Sequence, residues 1–388
     1  MVNRASKILI FSPSAEGGIA EHTYYQAEAL HKAGARILCL VSPSFLSGRK
    51  TNFPKVCCLP DPVKGPSGLI KKLRMVWRIV SSRYMLAWKI IRHHPDLVLL
   101  DSYVEYLAPL WIDPHIILSR IFRFRYAANL HDPVRSYVIG PKWWHRLSVW
   151  LAYQPLDIVL VHHKLADCSV VPKRVRVIVA PHGLYELNLT DSDSERVREK
   201  WGILRDQKVF LSFGYVRDGK NLDLAIRALQ EVPEAVLVVA GSVASTKDKP
   251  FEFYRDLARK CGVSDRCRFF EGFVEESDTG SYFSGSDFIL LTYSSSFHSQ
   301  SGVLNLAVAT RKPVLASASP SPMMDVVAKY HLGITVMTDS IDAITDGMKK
   351  ILNEPPQAQW EEYEKAASWD ENARIVLEAA LLMRNNQP

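Results

Sequence analysis

The sequence of 388 residues has no apolar run close to the roughly 18 residues that a helix needs to cross a bilayer. A strand-like run, Lys7 to Phe11, begins almost at the first residue, so we expect no signal peptide before it. These absences argue against a membrane-spanning or secreted protein. We expect a cytoplasmic protein, and peripheral attachment to the inner face of the membrane stays open.

Cysteine is also scarce, with six residues in the chain and no C-x-x-C spacing among them. Reduced thiols are therefore expected, rather than disulfides or cysteine ligands to zinc. No G-x-G-x-x-G follows the first strand, which argues against a nucleotide-dependent oxidoreductase. The triplet Asp191-Ser-Asp193 has no strand before it, so it does not predict a metal site.

What the sequence does contain is an alternation of short apolar runs with longer helical segments, in two successive cycles. Such alternation predicts an α/β protein with two doubly wound parallel sheets. Helices are predicted from Glu21 to Ala33 and from Leu69 to Arg92. The predicted strands begin at Ile8, Ile37, Leu97, Tyr126, Ile158 and Arg176 in the first cycle and at Val209, Val236, Cys267, Phe288, Val314 and Ile334 in the second.

A polar stretch without an apolar face separates the two cycles and predicts a linker. We expect an N-terminal domain over residues 1–187, a linker over 188–204, a C-terminal domain over 205–355, and helices over 356–388. The length of the chain agrees with two domains.

The second cycle carries the most informative turns. Gly214, Arg217 and Lys220 follow the first of its predicted strands, and Gly241 ends the second. Ser301-Gly302-Val303 opens an apolar helix further on. Because parallel strands end at one edge of a sheet, we expect these glycines, cations and helix amides to meet there, where open α/β sheets bind ligands.

Taken in this order, the turns resemble those of glycosyltransferase family 4, which has the GT-B architecture, a group 1 type domain and nucleotide-sugar donors. The resemblance runs from about Val209 to Gly333 and implies two Rossmann-like domains facing a cleft. It implies an enzyme, a hexosyltransferase-like one, that transfers a sugar with retention to a glycan or lipid-linked acceptor in polysaccharide or glycoconjugate biosynthesis. The nucleotide sugar would be a co-substrate, with no cofactor and no metal, and the C-terminal helices would cross back toward the N-terminal domain.

The resemblance also assigns residues. His131, after a predicted strand, is expected near the donor sugar as the catalytic-site histidine, and His182-Gly183 resembles a turn near the interdomain cleft. Many family members have Glu-x7-Glu where this chain has His298 and Leu306, so a non-catalytic binding relative stays open as the alternative. The expected donor-binding residues are Gly17, Gly18, Gly214, Arg217, Lys220, Gly241, His298, Ser301, Gly302 and Val303.

The predicted helix from Leu69 to Arg92 has an unusual surface. Residues 62–95 contain eight Lys or Arg and no Asp or Glu. At about 100° per residue its cations share one arc beside an apolar stripe, which is typical of a helix on an anionic membrane surface. A core-facing helix with a solvated basic back is the alternative. Nearby basic aromatic segments match no nucleic-acid-binding motif, so no nucleic acid partner is expected. The arc contains Lys71, Arg74, Arg78, Lys89 and Arg92, and the stripe contains Leu73, Trp77, Val80, Tyr84, Trp88 and Ile91.

Overall fold

The computed structural model describes residues 5–63, 68–101, 103, 105–131, 140–162, 171–184, 194–298 and 300–385, apart from the side chains of 276, 384 and 385. Asp132, Pro133 and the triplet at 191–193 lie outside the described residues. The chain forms two compact units. The first contains Met1–Gly183 and Ala366–Pro388, and the second contains Leu184–Lys365.

The first unit is built on a parallel sheet of seven strands in the order β3-β2-β1-β4-β5-β6-β7. Strands β4 to β6 are buried along their whole length, which explains their continuous apolar sequences. The strands are β1 (Lys7–Phe11), β2 (Arg36–Val41), β3 (Lys55–Cys57), β4 (Leu97–Leu100), β5 (Tyr126–Leu130), β6 (Ile158–Val161) and β7 (Arg176–Val179).

Helices cover both faces of this sheet, as in a doubly wound fold. Alternate residues of β1 belong to the two cores, with Ile8 and Ile10 on one face and Leu9 and Phe11 on the other. The first face is covered by α1 (Gly18–Lys32) and α13 (Trp369–Asn385), and the second by α2 (Leu69–His93), α3 (Asp113–Arg120) and α4 (Lys142–Ala152).

The second unit has a parallel sheet of six strands in the order β10-β9-β8-β11-β12-β13. The order reverses between β8 and β11, so this pair of strands forms the topological switch point. In the first unit β1 and β4 form the corresponding point. The strands are β8 (Lys208–Phe213), β9 (Ala235–Gly241), β10 (Cys267–Glu271), β11 (Phe288–Thr292), β12 (Val314–Ser317) and β13 (Gly333–Thr335).

The helices of the second unit follow its strands in turn. These helices are α5 (Ser194–Lys200), α6 (Leu222–Ala228), α7 (Phe251–Lys260), α8 (Glu276–Ser284), α9 (Gly302–Ala309), α10 (Pro322–Lys329), α11 (Ile341–Asn353) and α12 (Trp360–Ala366). The hydrophobic core of the unit is formed by α6, α7 and α11 packed against β8 and β9.

Two features differ from the sequence predictions. Edge strand β3 has no buried residue, so its sequence carries no apolar run that would predict a strand. The part of the predicted linker from Ser194 onward is packed structure in the second unit. Arg198 pairs there with Asp287, and the indole of Trp201 stacks on Tyr282 with ring centroids 5.6 Å apart.

Helix α2 turns its apolar stripe to solvent. Trp77 is 64% exposed and Trp88 is 52% exposed, whereas the buried face of the helix contains Arg83, Leu86 and Ile90. The helix does pack on the core, as the alternative expected, but the apolar stripe is not its core-facing side. The guanidinium of Arg83 stays inside because it lies over the rings of Phe11 and Trp111, each 4.6 Å away. Within the described part of the chain, no helix combines the length and apolarity needed to cross a bilayer.

Candidate active site

In the second unit, Lys220 is held at the switch point between β8 and β11. Its ammonium donates to the carbonyl oxygen of Phe213 at 2.5 Å, and its own carbonyl accepts from the Thr292 hydroxyl at 3.0 Å. Burial, and second the charge of Arg217, lower the pKa of Lys220 to about 8. An anion bound beside this ammonium would stabilise its charged form, because the anion compensates for the water that burial removes.

Arg217 is exposed on the same turn, three residues before Lys220. Its charge also opposes the rise that burial causes in the pKa of Tyr293, so these three side chains share one electrostatic environment. The two cations predicted from the sequence therefore lie together. The turn that carries them is tied to the end of β11, because Ser294 N–H donates to the Gly219 carbonyl at 2.9 Å.

Helix α9 begins beside this turn. Ser301, the residue before the helix, makes no side-chain hydrogen bond to the backbone of α9, and its hydroxyl instead bonds to the Tyr293 hydroxyl at 2.9 Å. A β-carbon built on Gly214 would lie 3.9 Å from Lys220 Nζ and 4.0 Å from Val303 Cγ2, while one on Gly302 would meet nothing within 4 Å. The first turn of α9 thus offers amides beside both the glycine and the lysine.

A cavity of about 100 Å³ opens at the same sheet edge, where β8, β9 and β10 end. Gly241 forms part of it, and its φ of +151° suits glycine. The wall combines backbone atoms with the exposed rings of Tyr215 and Phe273, and such a surface suits a flat aromatic group. The lining residues are Phe213, Gly214, Tyr215, Gly241, Ser242, Gly272, Phe273 and Val274.

The remaining predicted residue of this unit is His298, in the loop after β11. Its side chain is exposed, and Leu306 is half-buried on α9. The loop is braced by Phe297, whose ring stacks on Tyr293 with centroids 4.0 Å apart. His298 is therefore available to a ligand from solvent.

In the first unit, Gly17 and Gly18 lie between β1 and α1, at the switch point of that sheet. Gly17 is the N-terminal cap residue of α1, with a φ of +80° that few other residues adopt. A β-carbon on either glycine would meet nothing within 4 Å. The start of α1 is thus exposed backbone, as anion binding at a helix N-terminus requires.

His131 lies directly after β5, and both of its ring nitrogens are engaged. Nε2 is 2.9 Å from the Asp101 carbonyl oxygen, and Nδ1 is 3.0 Å from Nε2 of His162. His182 packs in the same group, with its ring centroid 5.1 Å from those of His22 and His162. The ring of His131 is therefore part of a cluster of four imidazoles.

The turn at Gly183 has a packing role. A β-carbon on Gly183 would stand 2.2 Å from the indole of Trp369, the first residue of α13. The same indole stacks on Tyr25 of α1 with centroids 5.6 Å apart. Gly183 is needed here because the indole lies directly against its backbone.

Residues 193–376 match the family described as glycosyl transferases group 1. The chain is 26% identical over 280 residues, or 66% of its length and 69% of the relative's, to an uncharacterised glycosyltransferase of Methanocaldococcus jannaschii. The second half of the chain thus contains a group 1 glycosyltransferase domain. The chain spans 40 to 51% of the length of the other curated relatives that it matches.

Solved glycosyltransferases share the fold over almost the whole chain. A glycosyltransferase from Rickettsia africae superposes with a TM-score of 0.71 at 15% identity, covering 99% of this chain and all of the other. Anabaena HepE in complex with UDP and glucose gives a TM-score of 0.60 at 15% identity, covering 98% and 97%. The predicted α/β class and GT-B fold are confirmed.

The sequence prediction missed several residues around His131. Asp101 follows β4 and His162 follows β6, so each occupies the position after a buried parallel strand that drew attention to His131. Their position after a buried strand could have identified Asp101 and His162 from the sequence. His22 lies in the second turn of α1, and no local pattern in the sequence of this glycosyltransferase distinguishes it from a core residue.

Proposed function

We propose that this glycosyltransferase transfers a sugar, with retention of anomeric configuration, from a nucleoside diphosphate sugar to a glycan or lipid-linked acceptor. The observation that carries the proposal is the meeting of Arg217, Lys220 and the open start of α9 beside Gly214. A diphosphate needs cations and N–H donors, and this group supplies both at the switch point of a parallel sheet.

The leaving group explains why charge is placed there. When the bond between the sugar and the diphosphate breaks, the departing oxygen gains negative charge, and fixed donors and cations lower the energy of that state. Arg217, Lys220 and the α9 amides perform this task in the proposal. No metal ion is then needed at the diphosphate, and no cofactor takes part.

The nucleoside of the donor would occupy the cavity at the ends of β8, β9 and β10. The exposed rings of Tyr215 and Phe273 can contact a base, and the backbone at Gly241 and Gly272 allows close approach. The solved complex of HepE with UDP and glucose supports a nucleotide as the ligand of this fold. Exposed His298 is proposed to contact the sugar side of the donor.

The first unit would supply the acceptor side and further phosphate contacts. Gly17 and Gly18 offer the amides at the start of α1 to an anion. His131 is proposed to position the reacting sugar. Because both ring nitrogens of His131 are engaged within the unit, its proposed role is positioning and not proton transfer.

Peripheral attachment to an anionic membrane is the second part of the proposal. The apolar stripe of α2 is solvent-exposed at Leu73, Trp77, Tyr84, Trp88 and Ile91. Cations flank it, and the guanidinium of Arg92 lies 5.9 Å from the Trp88 ring. An exposed apolar stripe beside cations matches the headgroup region of an anionic bilayer, where a lipid-linked acceptor would reside.

Two measurements test the proposed transfer. A thermal-shift panel of nucleotides and nucleotide sugars should reveal the donor, since a ligand at 100 times its Kd stabilises the folded protein by roughly 2.7 kcal/mol. Incubation with that donor and candidate acceptors should then release nucleoside diphosphate, and NMR of the product should show the donor's anomeric configuration. Tight donor binding without product on any acceptor would favour a non-catalytic binding protein.

A further inference from the structure

Three histidines of the first unit bring one ring nitrogen each into a single small volume. His22 comes from α1, His131 follows β5 and His162 follows β6, so the group joins one helix to two strand ends. These nitrogens all lie within 4.8 Å of one another. His22 is fully buried, and the other two are partly so.

The outer nitrogen of each ring faces a group that only accepts hydrogen bonds. His22 Nδ1 is 2.7 Å from the Asp101 carboxylate, and His131 Nε2 is 2.9 Å from the Asp101 carbonyl oxygen. His162 Nδ1 is 3.3 Å from the Ala180 carbonyl oxygen. Each of these nitrogens must therefore carry the proton, and in a neutral imidazole the other nitrogen then presents a lone pair.

Those lone pairs point at one another. His131 Nδ1 and His162 Nε2 are 3.0 Å apart, and two lone pairs at this distance repel unless a cation attracts both. His22 Nε2 is buried and has no hydrogen-bond partner among the described residues.

A metal ion resolves this arrangement. Imidazole nitrogens bind Zn²⁺ at about 2.0 to 2.1 Å, which places two tetrahedral ligands roughly 3.3 Å apart, close to the observed spacing. Three imidazoles are the protein ligands of one class of zinc site, and the set also suits copper, iron and nickel. Outer acceptors on the remote ring nitrogens are the usual partners of metal-bound histidine.

Asp101 would provide the balancing charge. Its carboxylate is fully buried and also accepts from Asn129 Nδ2 at 2.6 Å and from the Thr23 hydroxyl. A buried anion surrounded by donors stabilises a nearby cation.

We propose that His22, His131 and His162 bind one divalent transition-metal ion, Zn²⁺ by preference, with Asp101 and Ala180 orienting the rings. The ion would fasten α1 to the ends of β5 and β6 and set the orientation of His131. This site is independent of the diphosphate site in the second unit, where no metal is proposed.

The test uses the full chain, without a histidine tag and stripped with a chelator. Titration with ZnCl₂ against a chromophoric chelator should show one tightly bound equivalent, and CoCl₂ should give the visible bands of a tetrahedral nitrogen-ligated site. His22→Gln and His162→Gln should each abolish this binding. Asp101→Asn should weaken it by about 10 to 100-fold.

His31→Gln is the matched control, because His31 is exposed on the same helix as His22. It should retain the full equivalent. Circular dichroism establishes whether each variant is folded, and two ligand variants are used so that one misfolded protein does not decide the result. A folded wild-type protein that takes up no Zn²⁺ or Co²⁺, or equal uptake by the wild-type protein and both ligand variants, would overturn the proposal.

Discussion

Gly241 lies so close to Gly214 that a β-carbon on Gly241 would stand 2.0 Å from the Gly214 carbonyl oxygen. This contact joins the ends of β8 and β9 and forms one wall of the cavity assigned to the nucleoside. The backbone must be this close because Gly214 N–H donates to the Ala240 carbonyl at 2.9 Å. The shape of the proposed donor site therefore depends on a residue without a side chain.

Gly241→Ala should consequently disturb both stability and donor binding. The added methyl group has no space, and relieving such an overlap costs about 1 to 3 kcal/mol of unfolding free energy, which urea denaturation measures. Gly302→Ala is the matched control, since its β-carbon meets nothing within 4 Å, and it should stay within about 0.5 kcal/mol of the wild-type protein. Equal stability of the two variants would contradict the close contact.

Removing the cations should weaken diphosphate binding. Arg217→Ala and Lys220→Ala each delete a charge-assisted contact worth on the order of 1.5 to 3 kcal/mol, so the Kd for nucleoside diphosphate should rise roughly ten-fold or more by calorimetry. Lys260→Ala, an exposed lysine on α7, should leave the Kd unchanged. Unaltered affinity in a folded double variant would remove both residues from the donor site.

The pKa of Lys220 predicts how donor affinity depends on pH. With a pKa of about 8 in the unliganded protein, Lys220 is charged below that pH and neutral above it. Affinity for nucleoside diphosphate should therefore be full below pH 8 and fall above it, by up to about ten-fold per pH unit. Lys220→Arg keeps its charge and should remove this decline.

Folding stability should respond to the same group in the opposite direction. The unfolded chain, with a lysine pKa of about 10.4, holds more protons than the folded chain above pH 8, so this lysine makes stability rise with pH in that window. Loss of affinity without loss of stability would separate the titration of Lys220 from unfolding. An affinity that is flat from pH 7 to pH 10 would assign diphosphate binding to other groups.

Liposome binding should depend on the exposed rings of α2. Trp77→Ala and Trp88→Ala each remove a side chain worth on the order of 1.5 to 3 kcal/mol when buried, so sedimentation with anionic vesicles should fall roughly ten-fold or more. Arg74→Gln and Arg92→Gln, two exposed cations of the basic arc, should each cost about 1 kcal/mol and reduce the salt sensitivity.

Arg78 does not belong among the solvent-exposed cations of α2, although the sequence pattern places it in the same arc. Its guanidinium donates to the Pro60 carbonyl at 3.1 Å and to the Pro13 carbonyl, so its replacement tests folding and not membrane contact. Leu204→Ala is the control, because Leu204 is an exposed apolar residue of the second unit. Vesicle binding that is equal in the tryptophan and control variants would reject the membrane assignment.

His131→Ala should affect turnover more than donor affinity. If His131 positions the reacting sugar, the turnover number should fall about 100-fold or more while the Kd for nucleoside diphosphate stays nearly constant, as expected for a contact expressed in the transition state. The measurement is kcat with the identified donor and acceptor, beside calorimetry with the diphosphate. Undiminished kcat would leave His131 with a structural role.

The positions of the buried strands could be read from the chain. The strands Leu97–Leu100, Tyr126–Leu130 and Val314–Ser317 begin at the predicted residues, because strands covered on both faces are continuous apolar runs. The position of Lys220 beside Gly214 was likewise predictable. The carboxyl ends of parallel strands share one edge, so turns that are distant in sequence meet there.

Contacts that depend on packing could not be read in this way. Which side of α2 is buried depends on Arg83 lying between the rings of Phe11 and Trp111, and the local pattern favours neither face. The indole of Trp369 meets Gly183 across 186 positions of the chain, and His22 meets Asp101 across 79. Local periodicity reports which residues are buried and in which element. The partner of each buried side chain follows from how the elements pack, a long-range property that no short stretch of sequence contains.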